Sequence, residues 1–340
     1  MALSKIDLAN MVENQMPQAN IANNINFRNI IINGDMSVDQ RNATSTINAG
    51  SVTYNVDRFL GRGASSAGVF TLAQDTDSPD SFTNSLKATV TTADSSVDSG
   101  ASYRVQQVVE GTNASQLNWG TSSAKTVTLS FYVKSSVAGT FGGSLANGDY
   151  NRFNVFSYTI SSTNTWERKS VTITGDTSGT WATNTGLGIR VNWSLGAGST
   201  YVGSAGSWGS SPKEGVTGQT NLIETNGATF RITGVQLEVG SVASDFEFLP
   251  IDVNLLRCQR YFQQVTSNAW FFTYDNTTQN SRLNFFLKCD MRAVPTTTIT
   301  ITSGSSSDGV QYSDVGKITY YQNGASGCRT DAATKFDAEL

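Results

Sequence analysis

The side chains able to do chemistry are unevenly chosen: six tryptophans and eleven tyrosines stand in a chain of 340 residues that holds no histidine. Without histidine the usual general base near neutral pH is missing, along with the Ser-His-Asp and Cys-His nucleophilic systems and the commonest metal ligand. Glycoside hydrolysis needs only two carboxylates and stays open on residue type, but strand alternation forces no acidic pair into one cleft. The sequence therefore predicts no catalytic residue and no enzyme. Asp75, Asp77 and Asp80 in "QDTDSPDS" offer oxygen ligands for a hard cation such as calcium. Their spacing matches no calcium loop, so a solvated turn is the simpler reading. Cys258, Cys289 and Cys328 have separations that fit no zinc pattern and read as reduced thiols. No metal or cofactor is expected.

Aromatic rings remain. A tryptophan can stack on the apolar face of a sugar, and it can equally fill a core. Trp193 alternates with core residues and reads as core, while Trp166 reads as cover for a sheet edge. Trp119, Trp181 and Trp208 fall in Gly/Ser/Thr-rich loops, with Tyr201 near the last, and these four are the candidate carbohydrate-binding residues. Against this stands the commoner role of loop tryptophans, which is to plug the end of a sandwich or a subunit contact. Asp35, Asp39, Arg41, Asp57 and Arg58 read as a cluster of paired charges near a domain entrance, an ordinary structural device with no chemistry assigned.

The elements that must position these residues are mostly strands. Glycine is abundant (31) and only 15% of residues are charged, the profile of an all-β protein. The net charge of −4 and the lack of a local Lys/Arg run argue against nucleic acid. No stretch approaches the apolar length of a membrane span, and the opening segment does not read as a signal peptide, so folding in a reducing cytoplasm is expected. In "VTLSFYVK", Val127, Leu129, Phe131 and Val133 alternate inward; "LGIRVNW" sends Leu187, Ile189, Val191 and Trp193 inward and Arg190 and Asn192 outward. In "ATFRITGVQLEV" a bulge at Gly234 would bring Phe230, Ile232, Val235, Leu237 and Val239 onto one face. Pro250 ends this segment, Asp252 is placed to cap a helix, and Leu255, Cys258, Phe262 and Val265 fall near one helical stripe, with Arg257, Gln259 and Arg260 opposite.

These readings give three parts. Residues 1–28 form an extended or helical N-terminal segment with Leu8, Met11 and Val12 on one face; with Ile6 they are candidate anchoring residues, the competing reading being a frayed terminus. Residues 29–250 form an antiparallel jelly-roll β-sandwich. Residues 251–340 form a short helix and a smaller C-terminal β domain.

The ordered series "NIIINGDMSVDQRN", "YNVDRF", "VTLSFYVKSS", "TWERKSVTITGDTSGTW", "GATFRITGVQLEVGSVASDFEFLP", "LLRCQRYF" and "MRAVPT" resembles tail fibre and related virion fibre proteins of bacteriophages from about residue 29 to 297. MALSKIDLAN at the start and DAEL at the end are also similar to such fibres. The resemblance implies a jelly roll similar to carbohydrate-binding domains, a small C-terminal β domain, and a homotrimer in the virion. It implies attachment through the N-terminus to a tail adaptor or other tail protein, and host-surface glycan as the receptor. The chain is short, with no long repetitive shaft. A head or capsid fibre of the same architecture and a glycan-cleaving enzyme are the alternatives, and a free sugar-binding module is a further one.

Overall fold

Alternating apolar and polar residues build two antiparallel sheets that face each other, in a computed structural model describing residues 27–64, 68–265, 270–271, 280–298, 301–303, 309–323, 328–330 and 334–340. The candidate anchoring residues Ile6, Leu8, Met11 and Val12 lie outside the described residues. The sandwich strands are β1 (Ser45–Ile47), β2 (Val52–Tyr54), β3 (Phe59–Ala64), β4 (Val69–Asp75), β5 (Ser85–Thr92), β6 (Ser102–Glu110), β7 (Val127–Ser135), β8 (Gly139–Asn147), β9 (Phe153–Ile160), β10 (Glu167–Ile173), β11 (Leu187–Ala197), β12 (Val202–Gly203), β13 (Trp208–Gly209), β14 (Gly215–Val216) and β15 (Thr229–Val239). One sheet runs β1-β4-β5-β15-β7-β10 and the other β13-β9-β8-β11-β6-β3-β2. The chain crosses repeatedly between them, which makes this a jelly-roll β-sandwich.

The core is the set of residues that alternation sends inward. Val127, Leu129, Phe131 and Val133 from β7 meet Ile189, Val191 and Trp193 from β11, all fully buried. Gly234 has φ +60°, and the β15–β7 register shifts between Thr233 and Gln236. The bulge carries Phe230, Ile232, Val235 and Leu237 into the core. Val239 departs from the expected set: the last residue of the strand, it is 40% exposed.

The outward faces also differ from expectation, for both are partly covered. Thr128 and Ser130 on β7 are buried under the segment after β15, where Thr128 Oγ1 donates to the Gly240 carbonyl at 2.8 Å. Asn192 is outward yet buried, accepting from Gln106 Nε2 at 2.6 Å and donating to Ser144 Oγ at 3.0 Å. Two short helices are described, α1 (Gly111–Ala114) and α2 (Ile251–Gln259).

The stripe expected after Pro250 is shorter than the sequence suggests. Pro250 itself is the N-cap residue, Asp252 lies inside the first turn without a capping bond, and the helix stops at Gln259. Phe262 and Val265 belong instead to β16 (Phe262–Val265). The later strands are β17 (Trp270–Phe271), β18 (Asn280–Phe286), β19 (Thr296–Thr298), β20 (Ile301–Ser303), β21 (Gly309–Ser313), β22 (Lys317–Asn323), β23 (Cys328–Thr330) and β24 (Thr334–Asp337), and with β16 they form three three-stranded sheets among the described residues. β24 pairs with both β16 and β19, so the end of the chain returns to the strand that follows α2. A small core of Phe285, Met291, Ile318, Phe336 and Ala338 sits here.

A third cluster joins the two cores: Ile32 and Val38 pack on Cys258 and Tyr261. Arg257 and Arg260 are turned toward the sandwich rather than away from it. Arg260 makes a two-pronged bond to Glu110 at 3.0 and 2.7 Å, Tyr261 Oη donates to the same carboxylate, and Arg257 reaches the Asn29 carbonyl. The charges expected to pair among themselves mostly find other partners. Arg41 pairs with Asp57 at 3.6 Å, but also with Asp337 and Glu339, and Arg58 pairs with Glu339 while lying 3.5 Å over the Tyr261 ring. Asp35 accepts from Ser37 and Asn254, and Asp39 from the Asn42 amide. Burial alone would raise the Glu110 carboxyl, yet hydrogen bonds from Arg260, Tyr261 and Thr112 hold it below its ordinary value.

Candidate functional site

Three of the four candidate aromatics come together. The indoles of Trp119, Trp181 and Trp208 touch pairwise, with centroids 4.7, 5.3 and 5.4 Å apart and planes crossing at 71–85°. Edge-to-face contact of this kind adds about 0.5–1.5 kcal/mol per pair beyond area burial. Trp119 follows a 3₁₀ turn, Ser115–Leu117, that Asn118 ends in the left-handed region at φ 53°, a conformation asparagine tolerates better than most residues. Trp208 is not in an open loop: it opens the edge strand β13, where it pairs with Asn154 of β9. Trp181 lies on the stretch between β10 and β11.

That stretch is held from both sides. Arg152, at the start of β9, grips Asp176 through Nε and Nη2 at 2.7 Å each, and the Asp176 carbonyl accepts the Gly120 amide. Asn147 Nδ2 donates to the Thr180 carbonyl at 3.0 Å. Gly120 (φ +86°) must be glycine, since a Cβ there would stand 2.7 Å from the Gly179 carbonyl oxygen. The cluster is therefore fixed by polar contacts as well as by ring packing.

Each indole N–H is already used: Trp119 donates to Lys125 O at 2.8 Å, Trp181 to Ser178 O at 3.2 Å and Trp208 to Thr174 O at 2.7 Å. Only ring surface is left for a ligand. Trp119 is 7% exposed and closes the end of the core, while Trp181 and Trp208 are half-buried and pack against it. Tyr201 makes no described ring contact with them. Its carbonyl accepts the amides of Glu214 and Gly215, which sets it against the segment that carries Glu214.

The acidic turn "QDTDSPDS" is not a bare solvated turn. Asp75 pairs with Lys87 at 3.1 Å and Arg231 at 3.3 Å; Asp77 pairs with Lys134 at 2.8 Å and accepts the Trp166 N–H at 3.0 Å. Desolvation works against ionisation at both, but these donors win and both carboxyls sit below their ordinary value. Asp80 is exposed and joins neither. Among the described residues no group of three or more Cys, Asp or Glu is placed to hold a metal ion.

Sequence reasoning missed a second constellation on the outer face of the seven-stranded sheet. Glu214 is buried there, accepting from the Arg104 guanidinium and from the hydroxyls of Ser102 and Tyr150. Tyr150 folds back from the β8–β9 turn, with Arg190 Cζ 5.2 Å and Arg104 Cζ 6.0 Å from its ring centroid. Burial raises its phenol well above the ordinary value, and nearby Glu214 adds to the shift. Alternation already turned Arg190 outward. What only strand register supplies is that Arg62 and Arg104 lie opposite each other on the same face, with Arg190 opposite Val108, further along β6.

No protein-family profile matches this chain, and neither does any curated protein. Among solved structures, it is similar to the enzymatically active domain of bacteriophage CBA120 tailspike protein 4, at 12% identity and TM-score 0.32, over 63% of this chain and 22% of that one. It is also similar to the family 11 carbohydrate-binding module of Clostridium thermocellum in complex with a β-1,3-1,4-mixed-linked tetrasaccharide (10%, TM-score 0.30, 61% of this chain and 99% of that one). TmCBM61 in complex with β-1,4-galactotriose gives 9%, TM-score 0.30, and 63% and 99% coverage. The chain thus spans about a fifth of the tailspike chain and nearly all of each binding module. At these identities and scores nothing about ligand or activity is carried over.

Proposed function

We propose that this chain is a non-enzymatic phage virion component, a tail fibre mounted through its N-terminal segment that recognises host-surface glycan as a homotrimer. The observation that supports this reading best is the half-buried pair Trp181 and Trp208, pinned against Trp119 at one end of the jelly roll. Rings locked in this way present apolar surface for the C–H face of a sugar without an ordering cost at binding. The ordered series of fibre-like segments supports the virion setting. Three weak sites on one trimer act together, because the second contact becomes intramolecular, so millimolar single-site affinity suffices.

The test is a glycan array with wild type, Trp181→Ala and Trp208→Ala, each checked for an unchanged circular dichroism spectrum. Loss of roughly tenfold or more in affinity, about 1.4 kcal/mol, is expected for each. Retained binding in both would remove these rings from the site. Sedimentation of the full chain tests the trimer, which a stable monomer would refute. Density on intact particles distinguishes the tail from the head as the mount.

A further inference from the structure

The outer face of the seven-stranded sheet carries more positive charge than it neutralises. Arg62 on β3 and Arg104 on β6 are direct cross-strand partners, and like charges so placed repel. Arg190 lies on the other neighbour of β6, level with Val108. All three point away from the core, since Gly61, Val105 and Ile189 beside them face it. The face holds one described acid in contact with them, Glu214, and its carboxylate is already shared by Arg104, Ser102 and Tyr150.

Two guanidiniums are therefore left over. The Arg62 side chain makes no hydrogen bond or ion pair among the described residues and is half-buried. Arg190 has one 3.5 Å contact to the Gly148 carbonyl, and its Nε is buried without a partner. Burial, and then the charges of Arg62 and Arg104, pull the Arg190 guanidinium below its ordinary value, as expected of a cation held near other cations.

We propose that Arg62 and Arg190, the latter beside the Tyr150 ring, form a binding site for the carboxylate of an acidic saccharide. A guanidinium fork matches a carboxylate in two parallel hydrogen bonds. The Tyr150 ring adds an apolar wall that a sugar ring can use and that inorganic phosphate cannot. The Tyr150 turn is tied to the Trp181 stretch through Asn147 and Arg152, so one rim of the sandwich carries both sites. The inference rests on the reading of this protein as a glycan binder and adds the class of glycan.

The experiment measures calorimetric binding of the full chain to tri-galacturonate, a hyaluronan hexasaccharide and sialyllactose, each against a neutral counterpart. At least one acidic probe should bind roughly tenfold tighter than its counterpart. Arg62→Gln and Arg190→Gln should each abolish that preference while leaving neutral-glycan binding intact. No acidic preference, or a preference that survives both substitutions, overturns the proposal, as does displacement by inorganic phosphate as effective as by the monosaccharide acid. Loss of neutral binding in Trp208→Ala alone bears on the tryptophan site and not on this one. In the absence of ligand, Arg62→Gln should leave the melting temperature unchanged or raise it; a fall would reveal a partner for Arg62 and also overturn the proposal.

Discussion

At the tryptophan end of the sandwich every indole N–H has a backbone acceptor, the rings satisfy one another, and Asp176 is matched by Arg152. On the arginine face, one carboxylate serves three donors while Arg62 stands unpaired and Arg190 leaves a buried nitrogen without a partner. The first region is scaffold with a little ring surface to spare. The second is built at a cost that the isolated chain does not recover, because like charges on one face and unmet donors both oppose folding. The difference separates polar groups that the fold satisfies from polar groups that it leaves unmet.

Trp119→Ala should have the largest effect, since it opens the core end: a loss of about 3–5 kcal/mol by chemical denaturation is expected. If the loss is under about 1 kcal/mol, the indole cluster is not scaffold. Glu214→Ala comes next, at about 3 kcal/mol, because it strands the 2%-exposed Arg104 without a counter-charge. An acidic saccharide should restore part of that stability, and a thermal melt with and without the probe checks it.

Glu110→Gln, at the join with α2, should cost somewhat less, about 2 kcal/mol at neutral pH. Its folded value lies below the ordinary 4.5, so its contribution is complete above that pH and fades as pH falls through the lower folded value. Wild type and variant should therefore converge in acid, and a gap that widens there would show the sign to be wrong. Smallest is Arg62→Gln, whose unliganded stability should change by less than about 0.5 kcal/mol.

Alternation is enough to assign the core face of β7, the inward Ile189, Val191 and Trp193 of β11 and the bulge at Gly234, because period-2 patterning is a local property; it fails at Leu187, which a register shift before Ile189 leaves half-buried opposite Glu110. The Gly/Ser/Thr-rich setting singles out Trp119, Trp181 and Trp208 but does not show that they touch, which depends on how two connections and the edge strand β13 meet at one end. Tyr201 makes no described ring contact with the three, since nearness to Trp208 along the chain does not by itself bring two side chains together. The helix after Pro250 is shorter than its pattern suggests: Phe262 and Val265 keep helical spacing, but pairing with β24 holds them as strand. Asp75 and Asp77 looked like a solvated turn since their partners Lys87, Lys134 and Arg231 come from three other strands. The arginine face was illegible as a group: each strand contributes one outward arginine, an unremarkable event, and only the β3-β6-β11 order sums them.

The decisive measurement is a side-by-side glycan array with wild type, Trp208→Ala and Arg62→Gln. Wild type should bind, Trp208→Ala should lose glycans in general, and Arg62→Gln should lose acidic ones alone. Identical profiles for all three proteins would contradict this.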